Sequence, residues 1–125
     1  MSTENIGHVA SREAGEAMTD KQNYIVQLDA AGKIEVGEGA TDLLCGVLQN
    51  TPDVGQMATY AFSGIAKVKF GGTVTPGAWV TSDTSGKAIA TTTDKNVVIG
   101  RYIGTSNAVD GDIGPVQLGI FTLSA

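Results

Sequence analysis

The sequence predicts an all-β protein: a compact β-barrel or sandwich built from two similar antiparallel halves, preceded by an extended N-terminal arm. Three observations predict it. Seventeen glycines and only three prolines are scattered without a fixed period among Val, Ile, Thr and Ala, the texture of short strands joined by tight turns. Apolar and polar residues alternate over several short runs, the period of strands with one dry and one wet face. A turn of the form Asp-x-x-Gly-Lys occurs twice, at residues 29–33 and 83–87, each time between apolar runs. A chain of 125 residues suffices for one core and is short for two independent ones.

Taken in order, residues 1–23 are polar with isolated apolar residues such as Ile6, Val9 and Met18. Residues 11–18 suit a helical turn or two, but Gly15 weakens that reading. The segment therefore reads as an arm, and residues 24–125 as a single β domain. Residues 24–28 alternate as a strand. Asp29 and Gly32 then fit the first and fourth positions of a tight turn, the carboxylate accepting backbone N–H groups and the glycine tolerating positive φ. Residues 34–36 return, 37–42 form a loop, and the nearly all-apolar run 43–48 reads as a central strand. Residues 56–62 and 65–70 alternate again, the latter placing Ala66, Val68 and Phe70 on one face and Lys67 and Lys69 on the other.

After Gly71 and Gly72, with Pro76 and Gly77 completing the turn, the pattern restarts. Residues 79–82 parallel 25–28, and Asp83 and Gly86 repeat Asp29 and Gly32 at an offset of 54 positions. The same offset carries Gly46 onto Gly100 and residues 43–47 onto 97–101. Two further residues shift the strand at Met57 to Ile113. These matches predict a duplication, with halves at about 24–70 and 71–125. Two copies make a duplicated domain rather than a solenoid. Residues 116–123 alternate as a last strand.

No residue cluster announces chemistry. The net charge of −5 speaks against nucleic acid and against an anionic membrane surface as partners. No N-terminal signal pattern is visible, so synthesis and use without Sec-type export are expected, and no apolar run reaches membrane-span length. Cys45 is the single cysteine and sits in an apolar run, so it reads as a small buried residue. His8 is the single histidine, which leaves no His-based triad and no His/Cys zinc site. The Gly-Lys pairs lack the spacing of a phosphate loop. Asp110 and Asp112 read as a polar turn rather than a calcium loop, and Glu35, Glu38 and Asp42 as a solvated acidic loop. A carboxylate pair assembled through space stays open, because spacing does not reveal it. No cofactor and no metal is expected, and the chain does not read as an enzyme. Most of the seven aromatics, Tyr24, Tyr60, Phe62, Phe70, Trp79, Tyr102 and Phe121, fall on strand positions expected to face the core. Lys67 and Lys69, with Arg101 beside them, form a candidate contact face for an acidic partner.

Residues 63–80 (SGIAKVKFGGTVTPGAWV), 82–87 (SDTSGK) and 97–103 (VVIGRYI) resemble the tailed-phage capsid cement, or head decoration, proteins. The resemblance spans roughly residues 24–123. It implies a structural protein of the virion, made in the host cytoplasm. Such a protein binds the outer surface of an expanded head and clamps major capsid subunits, with a homo-oligomer, a trimer above all, as its working form. It makes Ile6, His8, Val9, Arg12 and Met18 of the arm, together with Lys67 and Lys69, candidate capsid or subunit contacts. A displayed module for carbohydrate or host surfaces is the second reading, and it needs an exposed aromatic or polar groove.

Overall fold

The computed structural model describes residues 5–124. Within them the protein is all-β, with eleven strands and no helix. These are β1 (Asn5–Ile6), β2 (Val9–Glu13), β3 (Ile25–Leu28), β4 (Ile34–Val36), β5 (Leu44–Leu48), β6 (Met57–Ala61), β7 (Gly64–Lys69), β8 (Trp79–Ser82), β9 (Ala88–Ala90), β10 (Val97–Tyr102) and β11 (Ile113–Thr122). They form two antiparallel sheets stacked as a sandwich. The larger has the order β1-β7-β11-β10-β8-β9 and the smaller β2-β6-β5-β3-β4.

Apart from β1, the two sheets share one layout. β2 pairs with β6 from Val9↔Ala61 to Glu13↔Met57, and β7 pairs with β11 through Ile65↔Gln117 and Lys69↔Ile113, 56 positions further on. Val26↔Val36 is matched by Val80↔Ala90, and Val26↔Gly46 by Val80↔Gly100, at an offset of 54. Single bridges join the ends of each sheet, Ala14↔Ile34 in one and Phe70↔Ala88 in the other. β7 thus lies with the second set of strands, whereas a division at residue 70 would leave it with the first.

The turns show why these strands meet where they do. The Asp29 Oδ1 accepts N–H bonds from Ala31 (2.8 Å) and Lys33 (2.9 Å); the Asp83 Oδ1 accepts the same pair from Ser85 (2.8 Å) and Lys87 (2.9 Å). Gly32 and Gly86 close these turns at φ of 79° and 80°, a region that costs an L side chain energy. Pro76 and Gly77 make a third tight turn, Ala78 N–H donating to Thr75 C=O at 3.1 Å, and Gly71 N–H donates to Ala88 C=O at 2.9 Å. Gly46 and Gly100 lie where strands crowd: a Cβ would collide with the Ala61 carbonyl oxygen in one case and the Gln117 carbonyl oxygen in the other.

The segment read as an arm is structured differently from that expectation. β1 lies on the outer edge of the larger sheet, Asn5 against Ile65 and Ile6 against Gly64. β2 is an edge strand of the smaller sheet. Residues 14–24 then run back over that sheet, Met18 N–H donating to Pro52 C=O and Asn23 N–H to Leu48 C=O. Ala14 and Met18 are fully buried with Val26, Ile34, Leu48, Ala58 and Tyr60. The reason these residues look like an arm in sequence is local: four of the five residues of β2 (VASRE) are exposed and Ala10 is half-buried, so it shows no alternation.

Two clusters make the core. The one around Met18 belongs to the smaller sheet. The other joins the sheets, with Ile25, Leu44, Val47 and Ala61 of the smaller packed among Ala66, Val68, Phe70, Val80, Ile99, Tyr102, Val116 and Leu118 of the larger. The smaller sheet is therefore covered on both faces. The larger is open on one face along β7 and around Trp79, Arg101 and Gln117, while Val80–Ser82 of β8 and Val98–Gly100 of β10 are buried at consecutive positions.

Candidate functional site: the open face of the larger sheet

On β7 the side chains of Ala66 and Val68 are buried, while Ile65, Lys67 and Lys69 between them stay half-exposed on the other face. Register carries that face across four strands: Ile65 lies opposite Gln117, Gln117 opposite Arg101, and Arg101 opposite Trp79. Side chains directly opposite on antiparallel strands share a face and touch. The Arg101 guanidinium sits over the Trp79 ring, 4.2 Å from its centroid, and the Phe121 ring meets Trp79 edge-on at 5.0 Å. Trp79, Arg101, Gln117 and Phe121 wall a shallow groove of about 310 Å³, with Gly100, Leu118 and Gly119 also lining it.

The face is electrostatically distinct. The six strands of the larger sheet contain Lys67, Lys69 and Arg101 and not one carboxylate. The other five Lys and Arg of the chain stand against thirteen Asp and Glu, a net of −8. Cations on one sheet face of an otherwise acidic protein set up a field that orients an approaching charged surface.

The remaining candidates are distributed elsewhere. His8 donates its N–H to Ser63 Oγ (2.8 Å), has its Nδ1 2.9 Å from the same oxygen, and stacks on Phe62 with ring centroids 6.0 Å apart. Val9 is exposed opposite Ala61, and Arg12 donates to Gly32 C=O at 3.2 Å. Met18 serves the chain's own core and has no surface to offer a partner. Ile6 pairs with Gly64 at the edge of the larger sheet. Gln27 of β3, buried, donates from Nε2 to Oε2 of Glu35 on β4 (2.6 Å) and to Oε1 of Glu38 in the following loop (3.3 Å), so these two carboxylates hold a buried side chain. Asp112 Oδ2 accepts the Val109 N–H at 3.0 Å, and Asp110 pairs with Lys87 at 4.0 Å. Burial pushes the Cys45 thiol up from 9.0 to about 12, against a smaller downward pull from Arg12, and it donates to Val26 C=O. Among the described residues no group of three or more His, Cys, Asp and Glu could hold a metal ion.

Trp79 and Phe121 depart from their expected place in the core. So does Phe62, which is exposed beside His8. Trp79 occupies the position that Ile25 holds in the other sheet, and a signal was available: in the matched positions 25, 47 and 61 the apolar set Ile, Val, Ala is replaced at 79, 101 and 117 by Trp, Arg, Gln.

The fold is thus a two-sheet β scaffold whose larger sheet leaves one cationic and aromatic face open. The sequence profile of the phage cement protein family matches residues 18–120, and the chain belongs to that family; it is a structural protein of the phage capsid. Among solved structures, the head fiber gp8.5 N base of bacteriophage phi29 is similar, with a TM-score of 0.63 and 15% identity over 90% of this chain and 93% of that one. At that identity the likeness shows a shared fold. No curated protein matches the chain.

Proposed function

We propose that the protein is a capsid cement protein that binds the outer surface of the expanded head and stabilises contacts between major capsid subunits, acting as a homo-oligomer, with a trimer favoured. The family match over residues 18–120 carries this reading. The physical logic supports it. A ligand that binds only the expanded lattice stabilises that lattice by mass action, and a multimer that touches several subunits gains avidity without any one strong contact. In this reading the protein does no chemistry and needs no cofactor, nucleic acid or membrane.

The candidate shell contacts are the exposed residues around the β2 edge, His8, Val9 and Arg12, and the Lys67 and Lys69 face of β7. β2 ends its sheet, so backbone groups on its outer side are open to a strand from a capsid subunit. The test is cosedimentation of the protein with immature and expanded heads lacking it. Binding to expanded heads alone, with a higher temperature of DNA release, is the expected outcome. Equal stability of heads with and without the protein would refute the reading. The groove beside Trp79 favours a second reading, a displayed carbohydrate- or host-surface-binding module, and retention on host cell-wall glycans by an intact groove but not by a Phe121→Ala variant would support it.

A further inference from the structure

We propose that the open face of the larger sheet, centred on Trp79, Arg101, Gln117 and Phe121, is the docking surface for a second copy of this chain, which seats its acidic smaller-sheet half there. The proposal adds a defined self-contact to the cement reading and is tested on protein free of heads.

The first observation is a pair of equivalent rows. In the smaller sheet the register runs Val9–Ala61–Val47–Ile25 across β2, β6, β5 and β3. In the larger it runs Ile65–Gln117–Arg101–Trp79 across β7, β11, β10 and β8. The strands correspond one to one. Ala61, Val47 and Ile25 are fully buried, because their row is seated against the other half of the same chain. Gln117, Arg101 and Trp79 hold the same positions, with Gln117 and Arg101 exposed and Trp79 half-exposed, on a face that no other strand among the described residues covers. A scaffold that already uses this row to join one half to another has, in its second half, the same row left over.

The second observation is what fills that row. Trp and Arg dominate the residues that carry binding energy at protein interfaces. Here they are already stacked on each other, with Phe121 holding the far edge of the ring, so little side-chain freedom remains to be lost on docking. Above Gly119 the space is open.

The third observation selects the occupant. Residues 5–61 carry eight carboxylates and three cations, whereas residues 62–124 carry four carboxylates and five cations. One half is acidic and the other slightly basic. That polarity favours head-to-tail contact between copies over like-to-like pairing, and a head-to-tail contact closes into a ring when the rotation permits.

Trp79 is the only tryptophan, so its emission reports this face directly. The experiment is sedimentation velocity and tryptophan emission of head-free protein over a dilution series, on the wild type and on Arg101→Glu and Phe121→Ala. The expected result is an associated species whose emission moves to the red on dilution. Each variant should weaken association at least tenfold and leave the circular dichroism spectrum unchanged. The weakening by Arg101→Glu should shrink at high salt, as an exposed charge contact requires. A monomer at every concentration overturns the proposal. So does association that neither variant alters, or emission that responds only to added expanded heads or to glycans. Cosedimentation with heads tests the cement reading separately, and its failure would leave the dilution result as measured.

Discussion

Met18 decides whether residues 14–24 are an attachment or part of the fold. Its side chain is fully buried, packed with Ala14, Val26, Ile34, Leu48, Ala58 and Tyr60, and its backbone is tied to Pro52 C=O at 2.8 Å. Burying a Met side chain contributes roughly 1.5–3 kcal/mol. Truncation to Ala also leaves a cavity, which brings the expected cost of Met18→Ala to about 2–5 kcal/mol. For a domain of this length about 3 kcal/mol corresponds to a fall in Tm of roughly 12 °C. Urea unfolding followed by circular dichroism, at one fixed protein concentration because association shifts apparent stability, should show a lower midpoint at an unchanged slope. Met57→Ala is the control: Met57 lies on β6 of the same sheet but is 56% exposed, and its loss should cost about 0.5 kcal/mol or less. If Met18→Ala behaved like Met57→Ala, the segment would not be packed as described, and the arm reading would return.

Deleting residues 2–20 removes β1, β2, Ala14 and Met18 together, so the truncated chain should lose its cooperative unfolding transition, seen as a missing sigmoid in the thermal melt; a well-folded truncated domain would refute the integration of β2. Gly86→Val should unfold or severely destabilise the protein, because a Cβ there meets the Val36 Cγ1 and stands 3.0 Å from the Ile25 oxygen at φ of 80°, whereas Gly77→Ala, at φ of 89° with nothing within 4 Å, should cost only about 1 kcal/mol; similar melts for the two would refute the crowding. Cys45 should resist thiol reagents at pH 8 in the folded protein and react at once in urea. Because its folded pKa lies above the unfolded value of 9.0, it contributes stability that is fully present below about pH 9 and lost as pH rises toward about 12, and a Cys45→Ala variant should lack that loss. Asp83→Ala should cost about 1–3 kcal/mol in a urea melt through two unpaired N–H groups, with Asp29→Ala costing a similar amount.

Most strands from residue 25 onward, though not the three-residue β9, were legible because each carries its own signal: a bounded apolar or alternating run and a turn whose chemistry dictates its geometry. Asp29 and Asp83 are the clearest cases, since a carboxylate that accepts two backbone N–H groups two and four residues on closes the hairpin locally. β1 and β2 were not legible, because an edge strand takes its pairing from distant residues, here Gly64 and Ile65 for β1 and Met57 to Ala61 for β2, and needs no apolar pattern of its own. For the same reason Met18 read as a stray apolar residue; only the fold brings Ile34, Leu48 and Tyr60 around it. Lys67 and Lys69 were legible as a face through strict alternation. Trp79 and Phe121 were not, since aromatic residues on strands suit a core and a wet face equally well, and only the neighbouring sheet decides which.

That decision was in fact written into the strands in another form. A sheet covered on both sides needs apolar residues at consecutive positions, and one covered on a single side needs them at alternate positions. β3 and β5 read IVQL and LCGVL, and Ile25 with Val26, and Val47 with Leu48, are buried in adjacent pairs, one into each cluster. β7 reads GIAKVK, and of its last five residues only Ala66 and Val68 are buried. At 25, 47 and 61 against 79, 101 and 117 the matched positions therefore carry opposite polarity, while β8 and β10 still bury consecutive residues at Val80–Ser82 and Val98–Gly100. Under the proposed self-docking, the open sheet has to be hydrated in the free protein and still offer a contact surface. Lysines and an arginine keep the face hydrated, with Arg101 over the Trp79 ring and Phe121 edge-on to it. Replacing the row Trp79, Arg101 and Gln117 with its counterparts Ile, Val and Ala would close no new intramolecular contact. It would leave an exposed apolar patch on the open sheet.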